Sequence, residues 1–250
     1  MSARFSGLLT LIALMALPVQ AQLAPFSATY SATLDLLIEL PVAATRRLER
    51  DANGSWQFIS EAKSAFASQL ETSRLTYSQG TYSQGSDSQG TYSQGTHPQG
   101  TWAPTNYRFV RSVFGRKREI SIDLDASAKK ITTIAEQRPW TQPYEPGVQD
   151  KLSYQLQLRE DLIAGREELS YRIADGGRIK TYRFVRIGKE TLTTAAGTFD
   201  CLRLQLERAE DQQQTLIWMA PALDYLTIRL LRIDASGREH FLNLKSIEAN

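Results

Sequence analysis

The chain reads as a mainly β protein: a strongly curved antiparallel sheet or half-barrel packed around one helix. Three observations predict it. Segments in which apolar side chains recur at every second residue fill most of the 250 residues. Turn-forming clusters such as Asp51-Ala52-Asn53-Gly54, Asp125-Ala126-Ser127-Ala128 and Asp175-Gly176-Gly177 separate those segments at hairpin spacing. One stretch, Asp150 to Gly165, is the only good helix candidate, and a lone helix among strands must pack on the sheet.

In order, the chain opens with Arg4, then the apolar run Leu8 to Leu17, then Pro18-Val19-Gln20-Ala21. A positive end, a short apolar segment and small residues form an export signal, with cleavage expected after Ala21. Residues 1–21 are thus read as a signal peptide and 22–250 as a single β-rich domain. No later run reaches transmembrane length, and no cysteine near the cleavage site offers a lipid anchor. The expectation is a soluble, monomeric, periplasmic (or secreted) protein with no integral membrane segment.

Phe26 to Leu36 alternates cleanly, with apolar or aromatic residues at the even positions. Thr45 to Arg50 and Trp56 to Phe66 form the next hairpin, and Leu70 to Leu75 reads as strand, short helix or loop. Residues 76–100 are a tandem pentapeptide array, Thr-Tyr-Ser-Gln-Gly and variants. Its period of five fits neither strand nor helix, and it has no aliphatic side chain. It is expected to be a low-complexity loop that supplies no core, or else a tyrosine-rich adhesive or glycan-stacking segment.

Tyr107 to Phe114, Glu119 to Asp125 and Lys129 to Ala135 continue the sheet. The basic turn Gly115-Arg116-Lys117-Arg118 could hold an anionic ligand or a phospholipid headgroup, or be a solvated strand tip. Arg138 to Gly147 carries three prolines, so an irregular connection is expected. In the helix, Asp150 can cap the first amides and Gly165 offers a left-handed stop. Leu152, Leu156, Arg159 and Ile163 fall three or four apart, on an apolar surface broad enough for a partly surrounded helix. Residues 152–158 also alternate, which leaves an edge strand as the other reading. Strands then follow at 167–173, 178–187, 189–194, 198–207, 213–219, 226–233 and 240–247.

An ordered set of short motifs resembles the exported bacterial domain family of unknown function numbered 3108. They are the Tyr30 strand, Trp102-Ala103-Pro104 through Tyr107, the apolar strand after Arg118, and Asp150-Lys151-Leu152-Ser153-Tyr154. Tyr182 to Gly188, Thr194 to Asp200, Thr215 to Pro221 and Asp224-Tyr225-Leu226 complete it. The resemblance covers roughly 25 to 249. It implies an exported half-barrel-like domain, distantly similar in shape to lipoprotein-carrier domains, and it transfers no active-site residues.

Without Arg4 the 29 basic residues become 28 against 27 acidic ones, which argues against a broad nucleic-acid surface. His97 and His240 form no zinc motif, and no nucleophile elbow, phosphate loop or dinucleotide fingerprint occurs. Cys201, the sole cysteine, falls in an alternating strand and reads as a core side chain. No metal or cofactor is expected. The leading reading is a non-catalytic binder of a lipid, a lipoprotein acyl chain or another amphipathic envelope component, with Trp140, Tyr154, Trp218 and Tyr225 as candidate contacts. A protein-binding envelope assembly or structural factor is the alternative, and a hydrolase a further one.

Overall fold

The computed structural model describes residues 23–35, 39–83, 96–207 and 213–249. The expected signal peptide, residues 1–21, and the centre of the repeat array, 84–95, lie outside them. The first half of the chain is a meander: β1 (Phe26–Asp35), β2 (Glu39–Arg50), β3 (Trp56–Lys63), β4 (Ala67–Ser83), β5 (Thr96–Val113), β6 (Arg116–Asp125), β7 (Lys130–Ala135) and β8 (Arg138–Pro143). Helix α1 (Ser153–Ile163) follows. A second meander then runs β9 (Leu169–Asp175), β10 (Arg178–Thr194), β11 (Gly197–Glu207), β12 (Gln214–Ala220), β13 (Leu226–Ile233) and β14 (Glu239–Ala249). β1 joins the halves by pairing with both β2 and β14.

All fourteen strands belong to one antiparallel sheet, in the order β8-β7-β6-β5-β4-β3-β2-β1-β14-β13-β12-β11-β10-β9. Among the described residues β8 and β9 are its two edges, and no ladder joins them. The strongly curved half-barrel expected from the sequence is therefore corrected to an open sheet with one helix against it. Alternation records which face of each strand is apolar. It carries no information on the angle between neighbouring strands, which is what curls or closes a sheet.

Three further expectations are corrected. The tandem array is not a loop set apart from the sheet: its first residues extend β4 and its last begin β5, paired from Thr76↔Ala103 to Ser83↔Thr96. Ladder bonds are made by backbone, so a period-five sequence rich in Thr, Tyr and Ser can extend a hairpin without alternating. Nor does the array lack core contacts. Tyr77 packs at 4.7 Å on the ring of the fully buried Trp102, and it covers Gly100 so closely that any Cβ there would collide with it. Within the proline-rich stretch, Arg138–Pro143 is strand β8 rather than irregular chain, because Pro139 and Pro143 sit on an edge where one side needs no ladder, and only residues 144–147, with Pro146, are irregular as expected. The segments 178–187 and 189–194 are one strand, β10, with the register shifting at Gly188 (φ 141°).

The core falls into two clusters. The first gathers Phe26, Tyr30, Leu48, Trp56, Trp102 and Tyr107 with Leu152 and Leu156 of the helix segment. The second gathers Tyr171, Tyr182, Phe184, Leu204 and Met219 with Leu158 and Leu162. Helix α1 thus gives one shoulder to each. Cys201 is buried and unpaired, and burial pushes its thiol up to about 11, which suits a core side chain.

Candidate functional site

Two places concentrate chemistry: the seat of α1 and one tip of the sheet. The seat begins with Asp150, fully buried just before the helix. One carboxylate oxygen accepts the amides of Leu152 and Ser153 at 2.7 Å each, and the other accepts the Ser73 hydroxyl from β4 at 2.5 Å. Asp150 thus holds the first amides as expected, though from two residues before the N-cap Leu152, and is clamped to the sheet. One turn on, Gln157 accepts the Trp102 amide at 2.9 Å and donates to Asp161 at 2.9 Å. Asp161 accepts the Tyr171 hydroxyl at 2.8 Å, and Glu160 accepts the Trp102 indole at 3.3 Å and the Leu23 amide.

Burial raises the carboxyl of Asp150 to about 6 against its hydrogen bonds, and raises that of Glu160 as well. The same desolvation, reinforced by Glu71 and Asp161 respectively, raises Tyr107 and Tyr171. These groups fasten helix to sheet. Among the described residues no three His, Cys, Asp or Glu side chains are grouped closely enough to hold a metal ion.

The tip is built by two adjacent turns, residues 64–66 between β3 and β4 and residues 114–115 between β5 and β6. The Phe114 amide donates to the Phe66 carbonyl at 3.0 Å, so the two turns are tied by backbone. Their rings stack at 5.6 Å and 22°, yet Phe66 is 55% and Phe114 70% exposed. Phe114 is also held at φ 47°, a left-handed conformation that a bulky side chain adopts at a cost. A shallow groove of about 390 Å³ runs between the turns.

The tip is basic. Residues 61–68 and 111–119 carry Lys63, Arg111, Arg116, Lys117 and Arg118 against Glu61 and Glu119. Glu61 is taken by Lys63 at 2.6 Å, and Glu119 by Lys117 and Arg108 at 2.8 and 2.7 Å. Arg111 and Arg118 face each other directly in the ladder, a like-charge pair that an external anion would relieve. The sequence flagged the basic turn, but it missed the aromatic pair. Phe66 and Phe114 are 48 residues apart in sequence, and only the register Ala67↔Val113 brings them together.

The four aromatics expected to contact a ligand are not brought into one pocket. Trp140 is 37% exposed on edge strand β8 and lies against Gly177. Tyr154 and Tyr225 both pack on the second core cluster, Tyr154 stacking on Phe184 at 5.8 Å. Trp218 is buried in the first cluster, and its indole donates to Glu190 at 2.8 Å. Among the described residues, no helix is long and apolar enough to cross a membrane.

No curated protein matches the chain. Among solved structures, a β-barrel-like protein of domain of unknown function DUF1849 from Brucella abortus aligns at TM-score 0.55 and 11% identity. The alignment covers 92% of this chain and 99% of that one. At that identity the likeness is one of fold. A protein described as exported, with a YmcC-like fold, from Bacteroides fragilis aligns at TM-score 0.30 and 7% identity, over 89% and 95% of the two chains. A protein described as a lipoprotein from Parabacteroides distasonis aligns at TM-score 0.31 and 11% identity, over 90% and 95%. The family model for DUF3108, protein of unknown function, matches residues 53–240, most of the chain and all the strands from β3 to β13, so the protein belongs to the DUF3108 family that its ordered motifs resemble.

Proposed function

We propose that this protein is a non-catalytic component of the bacterial envelope, exported to the periplasm, that docks on anionic lipid through the tip formed by residues 64–66 and 114–115. The observation that carries the reading is the tied, exposed Phe66–Phe114 pair inside a rim of excess positive charge. Phenylalanine rings bury their apolar area at the boundary between headgroups and acyl chains, and each nearby Lys or Arg adds about 1 kcal/mol on an anionic surface. Keeping a phenylalanine at positive φ and largely in water makes sense where the ring has a surface to enter.

Flotation of the mature protein with vesicles tests this. Binding is expected to phosphatidylglycerol vesicles, at least tenfold tighter than to phosphatidylcholine at 50 mM salt and weakened at 300 mM. The Phe66→Ser/Phe114→Gly variant should lose binding to both, and Arg111→Gln/Arg118→Gln should lose the preference for the anionic lipid. Wild-type protein that stays with the unbound fraction, or variants that float as well as wild type, would refute the assignment.

A further inference from the structure

Away from the tip, a crevice of about 20 Å³ opens beside α1, between the helix and the core face of β1 to β3. Its polar lining residues are Arg46, Arg159, Gln155, Tyr30 and, from β13, Thr227, and Phe26 and Phe58 lie on its apolar wall. Arg159 is buried at 8% exposure. Its Nε donates to the Asp224 carbonyl at 2.8 Å and its Nη2 to the Leu223 carbonyl at 3.3 Å, while Nη1 has no acceptor among the described residues. A buried guanidinium with a spare N–H is costly unless something accepts it.

Arg46 supplies the second charge. Val42, Ala44 and Leu48 of β2 are buried on the core face, and Arg46 occupies the same face by alternation. Its neighbours across the two ladders are Ala28 and Ser60, both small, which leaves room over the sheet. The Arg46 guanidinium lies 5.5 Å from the Tyr30 ring centre, and that of Arg159 lies 4.9 Å from the Phe26 ring centre. Both cations bear on the Tyr30 hydroxyl, which itself donates to the Thr227 carbonyl at 3.1 Å. Glu160 and Asp224 offset Arg159 from the helix and from the turn before β13, but neither lines the crevice.

We propose that this crevice is an oxyanion site: one oxygen of a phosphate or carboxylate enters between Arg46 and Arg159, accepting from Arg159 Nη1, while the rest of the ligand stays at the mouth. The volume suits a single oxygen atom. Two arginines lining one crevice that has no lining carboxylate favour an anion over water. The same chemistry is offered by a free phosphate and by the headgroup of an amphiphile.

Calorimetric titration of the mature protein with inorganic phosphate, and separately with decyl phosphate below its micelle concentration, tests the site without any vesicle. Binding of phosphate alone supports the site with a free anion as ligand. Binding of decyl phosphate at least tenfold tighter supports it with an amphiphile headgroup. Arg46→Gln, which removes no observed hydrogen bond, should weaken either ligand at least tenfold with its melting curve preserved. Arg159→Lys should weaken it similarly, and the tip variant Phe66→Ser/Phe114→Gly should bind like wild type. Absence of binding to both probes, or an unchanged affinity in Arg46→Gln, would overturn the proposal.

Discussion

The seat of α1 and the Phe66–Phe114 tip break opposite rules of protein architecture. At the seat, polar groups are buried: Asp150, Ser153, Gln157, Glu160 and Asp161 all lie in the interior. At the tip, apolar groups are exposed. The carboxylates of the seat are satisfied internally, each meeting donors from the sheet or from the start of the helix. The tip has no such compensation within the chain: its rings meet each other and then solvent. A buried polar group with its partners present is accounted for by folding, whereas an exposed aromatic pair on strained backbone is not accounted for by packing within the described residues.

Substitutions should separate the two regions sharply. The largest effect is expected for Trp102→Ala. Trp102 is fully buried, touches Trp56 at 5.3 Å and Tyr77 at 4.7 Å, and donates to Glu160. Its loss should cost about 4 kcal/mol, read by urea denaturation, and should leave Glu160 short of a donor. Asp150→Ala comes next, at about 3 kcal/mol, since it strands the Ser73 hydroxyl and two amides of the helix start. Losses below about 1 kcal/mol in either variant would mean that the seat is wet rather than packed.

The seat also predicts a pH dependence of unusual sign. The Asp150 carboxyl ordinarily ionises near 3.8, and burial raises it to about 6 in the folded chain. The folded state therefore holds the proton more tightly, so this group favours folding fully below about pH 4 and loses that contribution as pH rises through 6. Between pH 5 and 7 wild-type stability should fall by about 1 kcal/mol from this group alone, with Glu160 acting in the same direction. Asp175 works in the opposite sense: burial would raise it, but Lys151 and Lys180 hold it low, so its contribution is lost only in more acid solution. Denaturation at pH 5 and pH 7 should show the slope in wild type and a flatter one in Asp150→Asn. Equal slopes would remove Asp150 as its source.

The same contrast governs what the sequence could reveal. The hold of Asp150 on the first helix amides, the strand starting at Phe26 and the hairpin turn at Gly176-Gly177 were legible because each depends on residues near one another in the chain. β8 was hidden because Pro139 and Pro143 forbid an interior strand while permitting an edge, and edge position is a property of the whole sheet. The strand ends within the repeat array were hidden because backbone pairing leaves no mark in side-chain periodicity. The four aromatics were singled out by residue type, and type alone does not distinguish Trp218, packed and hydrogen bonded, from a ring at a surface. Gly115-Arg116-Lys117-Arg118 announced the charge of the tip, but its aromatic partner came from the β3–β4 turn, through a register that one segment cannot encode.

The smallest effect expected on stability is the most informative about the tip. Phe114 and Gly115 form a two-residue hairpin turn with φ 47° and 78°, the geometry that glycine adopts without penalty. Phe114→Gly removes the strain of an aromatic residue in that conformation, about 1 kcal/mol, and adds back about 0.5 kcal/mol of backbone entropy in the unfolded chain. The net expectation is a gain of about 0.5 kcal/mol, read as a small rise in melting temperature, together with a loss of vesicle binding. The Phe114 ring would contribute to folding if the variant instead melted well below wild type, and the tip would then be a packing feature like the seat. A stabler variant that no longer binds lipid would show the reverse: the native residue is worse for the fold than glycine, and what it provides is realised only when a surface receives the ring.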